Sequence, residues 1–314
     1  MRITLLGPQR RPTVDGVVRS LGLAGLKGPL ATITAGWQER EADDAELTAR
    51  VGGRAVNLGL YQRWLDVQDR DPRYAAGEHA LQGVLAGLQD SYLLRLDYAL
   101  QAVYALQRRN GHGDPLRAGA VTEAVAAVRE LDAAHRRHVN QVRGEFFERL
   151  RPHDRPVIAG HRTVVEGLLN EAAALVIAGG HVGVLTDTLH LFNIAAALRS
   201  APGQPPVIAW SAGAMALTDQ IVLFHDRAPQ GPGHPEVYGS GLSLLRQVVL
   251  LPHARARLLL DDTARMGVFA QRFAPARCVL LESGTRLDIG AGEDWPPGAR
   301  ILTPDGRVTS LEAA

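Results

Sequence analysis

Apolar residues fall in short runs near the amino end of the chain and again beyond residue 170. The runs are RITLLG near residue 4, LATITAGW near 33, RAVNLGLY near 57, AALVIAGG near 176 and PVIAW near 208. Runs of this length without polar alternation suit strands covered on both faces, and the segments between them suit crossover helices. The pattern predicts an α/β fold, a mostly parallel sheet flanked by helices. Later runs, QIVLF (220–224), QVVLLP (247–252), RCVLLE (277–282) and ARILTPDGRVTSLE (299–312), leave too little room for a helix between every pair. The carboxyl end is expected to finish in antiparallel strands, with TPDGRV as a hairpin turn.

From about Trp64 to Arg155 the strand signal gives way to two long helical patterns that meet at RRNGHGDPLR. The second carries Val121, Val125, Val128, Val139, Val142, Phe146 and Leu150 mostly at three- and four-residue steps, one apolar stripe on a solvated helix. The first, with Leu81, Val84, Leu85, Leu88, Leu93, Leu96, Leu100, Val103 and Leu106, is apolar around more of its circumference. A helical hairpin over 69–151 is therefore expected to be inserted into, and to project from, an α/β domain formed by 1–68 and 152–314. Its surplus apolar face calls for cover from the parent domain or from a second subunit in a homo-oligomer. Asp132, His135 and His138 stand three apart within this region. Arginines flank them and no further ligands converge nearby, so they read as a solvated polar face and not as a metal site.

Composition narrows the classes. The 314 residues are 46% hydrophobic and 21% charged, ordinary for a globular protein. The formal net charge of +1 supplies no field to gather nucleic acid or an anionic membrane surface, so neither is an expected partner. The opening MRITLLGPQRRPTVDG meets charges and prolines too soon for a secretory leader and reads as a first strand. No run reaches the length of a membrane span. The single cysteine, Cys278, excludes an intrachain disulfide and fits a cytoplasmic, reducing setting; within ARCVLLES it reads as a small buried hydrophobe.

The chemistry concentrates in PVIAWSAGAMALTDQIVLFHD, residues 206–226. Ser211 follows an apolar run and precedes small, helix-permissive residues, which puts it at a strand-to-helix turn. There it is either a nucleophile facing the positive end of a helix or the cap of that helix. A serine nucleophile needs a base, a group to orient the base, and donors for the oxyanion. His253 follows the apolar run VVLLP, so it is expected on the same sheet edge as Ser211. Asp226 closes IVLFHD and is either the orienting acid or a turn former, while the adjacent His225 competes for the base role but should point away from whatever Asp226 faces. Gly179-Gly180 ends another strand and suits either an oxyanion loop or a tight turn.

Taken together, LVIAGGHVGVL, AWSAGAMAL, GSGLSLL and LPHARARL resemble the peptidase E and cyanophycinase group of serine peptidases, built on the class I glutamine amidotransferase-like fold. The likeness covers roughly residues 156–310. Asp226 also follows the serine at a spacing like that of the acidic member in peptidase E. The resemblance implies Ser211 as nucleophile, His253 as base, Asp226 as acid with Glu282 as its substitute, and the N–H groups of Gly180 and Ala212 as oxyanion donors. It implies a small peptide or amide substrate and acyl transfer to serine without a metal or cofactor. A glutamine amidotransferase would carry cysteine at position 211, so glutaminase chemistry is disfavoured. Two features depart from the family: Ala209 stands where glycine is usual, and Leu259 and Asp262 interrupt the arginines that follow the histidine. Arg255 and Arg257 remain as candidate binders of an acidic group, with Arg257, four after His253, expected to share its helical face. The alternative paired it with Asp261 in solvent. A non-catalytic relative of the same fold, used for binding or assembly, is the other function class.

Overall fold

The apolar runs become strands in the computed structural model, which describes residues 1–9, 14–25, 27–109, 115–227, 233–290 and 294–312. In chain order they are β1 (Ile3–Leu6), β2 (Leu30–Ile33), β3 (Ala55–Asn57), β4 (Ala174–Ile177), β5 (Val207–Trp210), β6 (Ile221–Leu223), β7 (Glu236–Gly239), β8 (Val248–Pro252), β9 (Arg277–Leu281), β10 (Arg286–Ile289), β11 (Arg300–Leu302) and β12 (Val308–Ser310). β1, β2, β4 and β5 are buried at every position, which explains their unbroken apolar runs.

The central sheet has the order β10-β1-β5-β4-β2-β3. Its five strands β1 to β5 are parallel, and β10 closes the β1 edge antiparallel. A second sheet, β12-β11-β9-β8, pairs β8 and β9 in parallel and ends in the antiparallel strands foreseen around TPDGRV. β6 and β7 form a separate antiparallel ribbon.

This arrangement corrects the expectation that Ser211, Asp226 and His253 follow strands of one sheet. β5, β6 and β8 lie in three different sheets. Because β10 occupies the edge beside β1, β8 and β9 cannot extend the central sheet and pair with each other. The tight turn from β9 into β10 then presses the second sheet against the end of β1: the Gly7 N–H donates to the Thr285 carbonyl at 2.8 Å. A Cβ on Gly7 would lie 1.6 Å from the Glu282 carbonyl oxygen, so only glycine allows this approach.

The helical region holds the helices Leu60–Arg70, Pro72–Arg109 and Pro115–Leu150, while the centre of RRNGHGDPLR, 110–114, lies outside the described residues. Arg155 pairs with Asp71 at the base, and Asp71 also accepts the Tyr74 N–H at 3.0 Å, capping the first long helix. The hairpin does not project. Leu81, Phe146 and Leu150 enter the core of the central sheet, while Tyr92, Leu96, Leu100, Val103, Val125, Val128 and Leu131 pack with β6, β8, β9 and the helix Thr263–Phe273. The broad apolar circumference of the first helix is thus largely spent on the parent domain, although Val84, Leu94 and Tyr98 stay exposed.

The polar face expected around Asp132 is also different. Asp132 and His135 are buried, and only His138 is exposed. Arg272 donates to both Asp132 oxygens at 2.6 and 2.7 Å, the Tyr92 hydroxyl donates to Asp132 at 2.8 Å, and His135 stacks on the Tyr92 ring with centroids 4.1 Å apart. The arginine partner comes from 140 residues away, beyond the reach of local pattern. No group of three metal-binding side chains forms among the described residues.

Candidate active site

Ser211 stands between β5 and the one-turn helix Ala212–Met215 with φ 51° and ψ −124°. A non-glycine residue held there stores roughly 1 to 3 kcal/mol of strain, and a sharp strand-to-helix turn with this property is how a nucleophilic serine is exposed above a sheet. The cap alternative fails locally, since the Ser211 side chain makes no cap hydrogen bond. Ala209, two before the serine, is fully buried and lies in register with Leu5 and Ile177, so the elbow accommodates a methyl group there.

The Gly179-Gly180 loop lies directly against this serine. A Cβ on Gly179 would come within 2.9 Å of the Ser211 Cβ and 3.3 Å of its Oγ. Gly180 has φ 131°, and a Cβ on it would meet the Gly36 carbonyl at 2.3 Å; the His181 N–H donates to that same carbonyl at 2.7 Å. The loop is thereby clamped between Gly36 and the elbow. Ala212 is the first residue of its helix, so its N–H has no intrahelical acceptor.

Ser211 forms part of the wall of two cavities. One, of about 580 Å³, brings it together with His253, Gly179, Gly180, Trp37 and Arg40. The other, of about 380 Å³, joins it to Gly180, Ala212, His225, Glu236 and Arg257. His253 follows β8 in a left-handed conformation, φ 57°, and its N–H donates to the Leu281 carbonyl at 3.1 Å. That left-handed φ makes His253 the cap of the helix Ala254–Arg257 and turns its side chain off the helical face, although the Arg257 N–H still donates to its carbonyl at 3.0 Å, and the two side chains line different cavities that share Ser211 and Gly180. Arg257 is half-buried, and burial pulls its guanidinium below its ordinary pKa. Arg255 is exposed and lines neither cavity; its N–H donates to Glu282 Oε1 at 2.8 Å.

Asp226 is buried and committed to framework contacts. Arg265 donates to one oxygen at 2.6 Å and the Leu259 N–H to the other at 3.2 Å, while the Asp226 N–H donates to the Arg257 carbonyl at 2.6 Å. It therefore fixes the segment that follows His253. The two neighbours are placed the opposite way from the expectation: beyond the end of β6, His225 is exposed and lines a cavity with Ser211, while Asp226 is buried away from it. Glu282 follows Leu281, the partner of Pro252 in the β8–β9 register, and so lies next to the turn that carries His253.

The sequence reading missed β7, and with it Glu236. Burial raises the Glu236 carboxyl against the lowering effect of a hydrogen bond donated by Gln89 at 2.7 Å. EVYG is too short and too polar at its first position to announce a strand, and Gln89 comes from the helical insertion. His234, beside it, is held below its ordinary value by burial, with its bond to Asp97 opposing. Cys278 is a core residue as expected, its thiol pushed up to about 12 by burial.

No protein-family model matches the chain, and no curated protein matches it. Among solved structures it is similar to the crystal structure of a peptidase from an acI-B1 Actinobacterium. The two are 14% identical, with a TM-score of 0.50, over 99% of this chain and 94% of the other. A likeness at that identity concerns the fold: an α/β protein with a mostly parallel central sheet between helices. No helix among the described residues is long and apolar enough to cross a membrane.

Proposed function

We propose that the protein is a serine hydrolase of the peptidase type, cleaving a peptide or amide bond through an acyl-serine intermediate. The observation that carries this reading is the strained elbow at Ser211, packed against the Gly179-Gly180 loop with His253 on the same cavity. The fold likeness to a peptidase supports it.

In this reading the Ser211 hydroxyl adds to the scissile carbonyl carbon while His253 takes its proton. The N–H groups of Gly180 and Ala212 hold the oxyanion, placed by the clamped loop and the helix start before substrate arrives. The C–N bond breaks as His253 returns the proton to the departing amine, and water then hydrolyses the ester by the same exchange in reverse. Glu282 orients the imidazole, because it lies next to the turn that carries His253 while both Asp226 oxygens hold Arg265 and Leu259. Arg257 offers a desolvated guanidinium to a substrate carboxylate in the smaller cavity.

A fluorophosphonate probe tests the assignment. It should label wild type at Ser211, and Ser211→Ala should lose labelling and on the order of a millionfold in turnover with its unfolding midpoint nearly unchanged. Arg257→Ala should reduce the preference for acidic over neutral peptides by at least about tenfold. A protein that labels nowhere and cleaves nothing is the binding relative instead.

A further inference from the structure

A third cavity, of about 410 Å³, lies on the far side of the Gly180–Val184 segment from Ser211. The helical insertion and the helix before it supply Trp64, Gln68, Glu78, His79 and Gln82, and these face Asp187 and Tyr238 across it. Its volume is within the range of small-molecule sites.

The chemistry of the lining is uneven. Glu78 accepts from the Trp64 indole at 2.8 Å and from Gln68 at 2.5 Å, both at the same oxygen, Oε2. Asp187 accepts from Gln82 at 3.2 Å through Oδ2. Arg143 forms an ion pair with the other oxygen, Oδ1, at 2.8 Å. The one arginine nearby, Arg143, is taken up by Asp187 and lies outside the cavity wall, so the Glu78 carboxylate stands without an ion-pair partner among the described residues, beside two aromatic rings. Gly183 is needed here, since a Cβ on it would lie 2.3 Å from the Tyr238 hydroxyl oxygen, so the tyrosine is seated into this wall. Burial raises both the Glu78 carboxyl, with Asp187 adding to the rise, and the Tyr238 hydroxyl, the latter to about 12.

We propose that this cavity binds a small organic ammonium ion, its charged head between Glu78 and Asp187 and its carbon chain against Trp64 and Tyr238. A charged head pairs with the Glu78 carboxylate, which has no ion-pair partner among the described residues, and aromatic faces favour an organic cation over a hydrated metal ion. The site does not depend on the serine-hydrolase reading, although His181, which caps the Val182–Leu191 helix by accepting the Val184 N–H, joins its wall to the Gly180 loop.

Isothermal titration of the intact protein with n-butylammonium chloride tests this, with 1-butanol as the neutral probe and magnesium chloride as the metal probe. Butylammonium should bind saturably, at least about tenfold more tightly than 1-butanol, and magnesium should not displace it. Glu78→Gln, which keeps an acceptor for Trp64, should weaken it at least about tenfold, and Ser211→Ala should leave it unchanged. Absence of saturable binding, equal affinity for 1-butanol, displacement by magnesium, or Glu78→Gln within about twofold of wild type would overturn the site. The wild-type comparison decides the question even if Glu78→Gln does not fold.

Discussion

Asp226 and Glu282 carry the same carboxyl group in two physically different settings. Asp226 is buried against Arg265, so Asp226→Asn should leave the arginine charge uncompensated and cost about 3 kcal/mol in a urea titration, with any loss of turnover following the loss of fold. Glu282 is half-buried and follows the strand position paired with Pro252, so on the serine-hydrolase reading Glu282→Gln should keep the unfolding midpoint while lowering kcat by about a hundredfold or more and shifting the pH profile of the base. The opposite split, stability lost at 282 and catalysis lost at 226, would return the acid role to Asp226. At this scale the sequence was most legible where chemistry and backbone coincide. Ser211, Gly179-Gly180 and His253 each follow a recognisable apolar strand, and each is found in the wall of one cavity. The shared helical face that singles out Arg257 over Arg255 in the sequence is lost at the left-handed His253, yet Arg257 is the arginine that reaches a cavity beside Ser211.

Among the elements, the helical insertion departs furthest from its expected form. Its helices and their apolar stripes were readable from spacing, but their cover was not, because the partners come from strands and a helix far along the chain. The Asp132–Arg272–Tyr92 cluster fastens the insertion to the Thr263–Phe273 helix, and all three side chains are buried. Arg272→Met should therefore destabilise the protein by about 3 to 5 kcal/mol, because it strands the Asp132 charge, while Arg272→Met combined with Asp132→Leu should recover much of that loss. Equal midpoints for the single and double variants would show that the charge pair is not what fastens the insertion. The strands β7 and β10 escaped the sequence reading because each is four residues long and alternates buried with more exposed positions, a weak signal next to the continuous runs of the central sheet.

For the whole molecule, buried carboxyls set the acid limb of stability. Burial raises Glu41, Glu78 and Glu236 above the ordinary 4.5, so each holds its proton more tightly folded than unfolded. Stability is therefore lost as pH rises from 4.5 through their folded values. Asp71, which Arg155 holds below 3.8, contributes the opposite slope, losing its stabilisation as pH falls below that value. Urea titrations across this range should show Glu236→Gln with a shallower decline above pH 4.5 than wild type, and an unchanged slope would mean that the carboxyl is not desolvated. The parallel sheet itself was legible from the first 210 residues, whereas the division into separate sheets depends on which strand takes the edge beside β1. That edge has a consequence for the order of events during synthesis. The serine elbow leaves the ribosome well before β10, yet β10 and the turn ahead of it are what seat the His253 strand pair against the end of β1. A nascent chain that has emerged only as far as the elbow carries Ser211 before the strand pair that brings His253 to its cavity, so on the serine-hydrolase reading the newborn protein should stay inert until roughly its last tenth has been made.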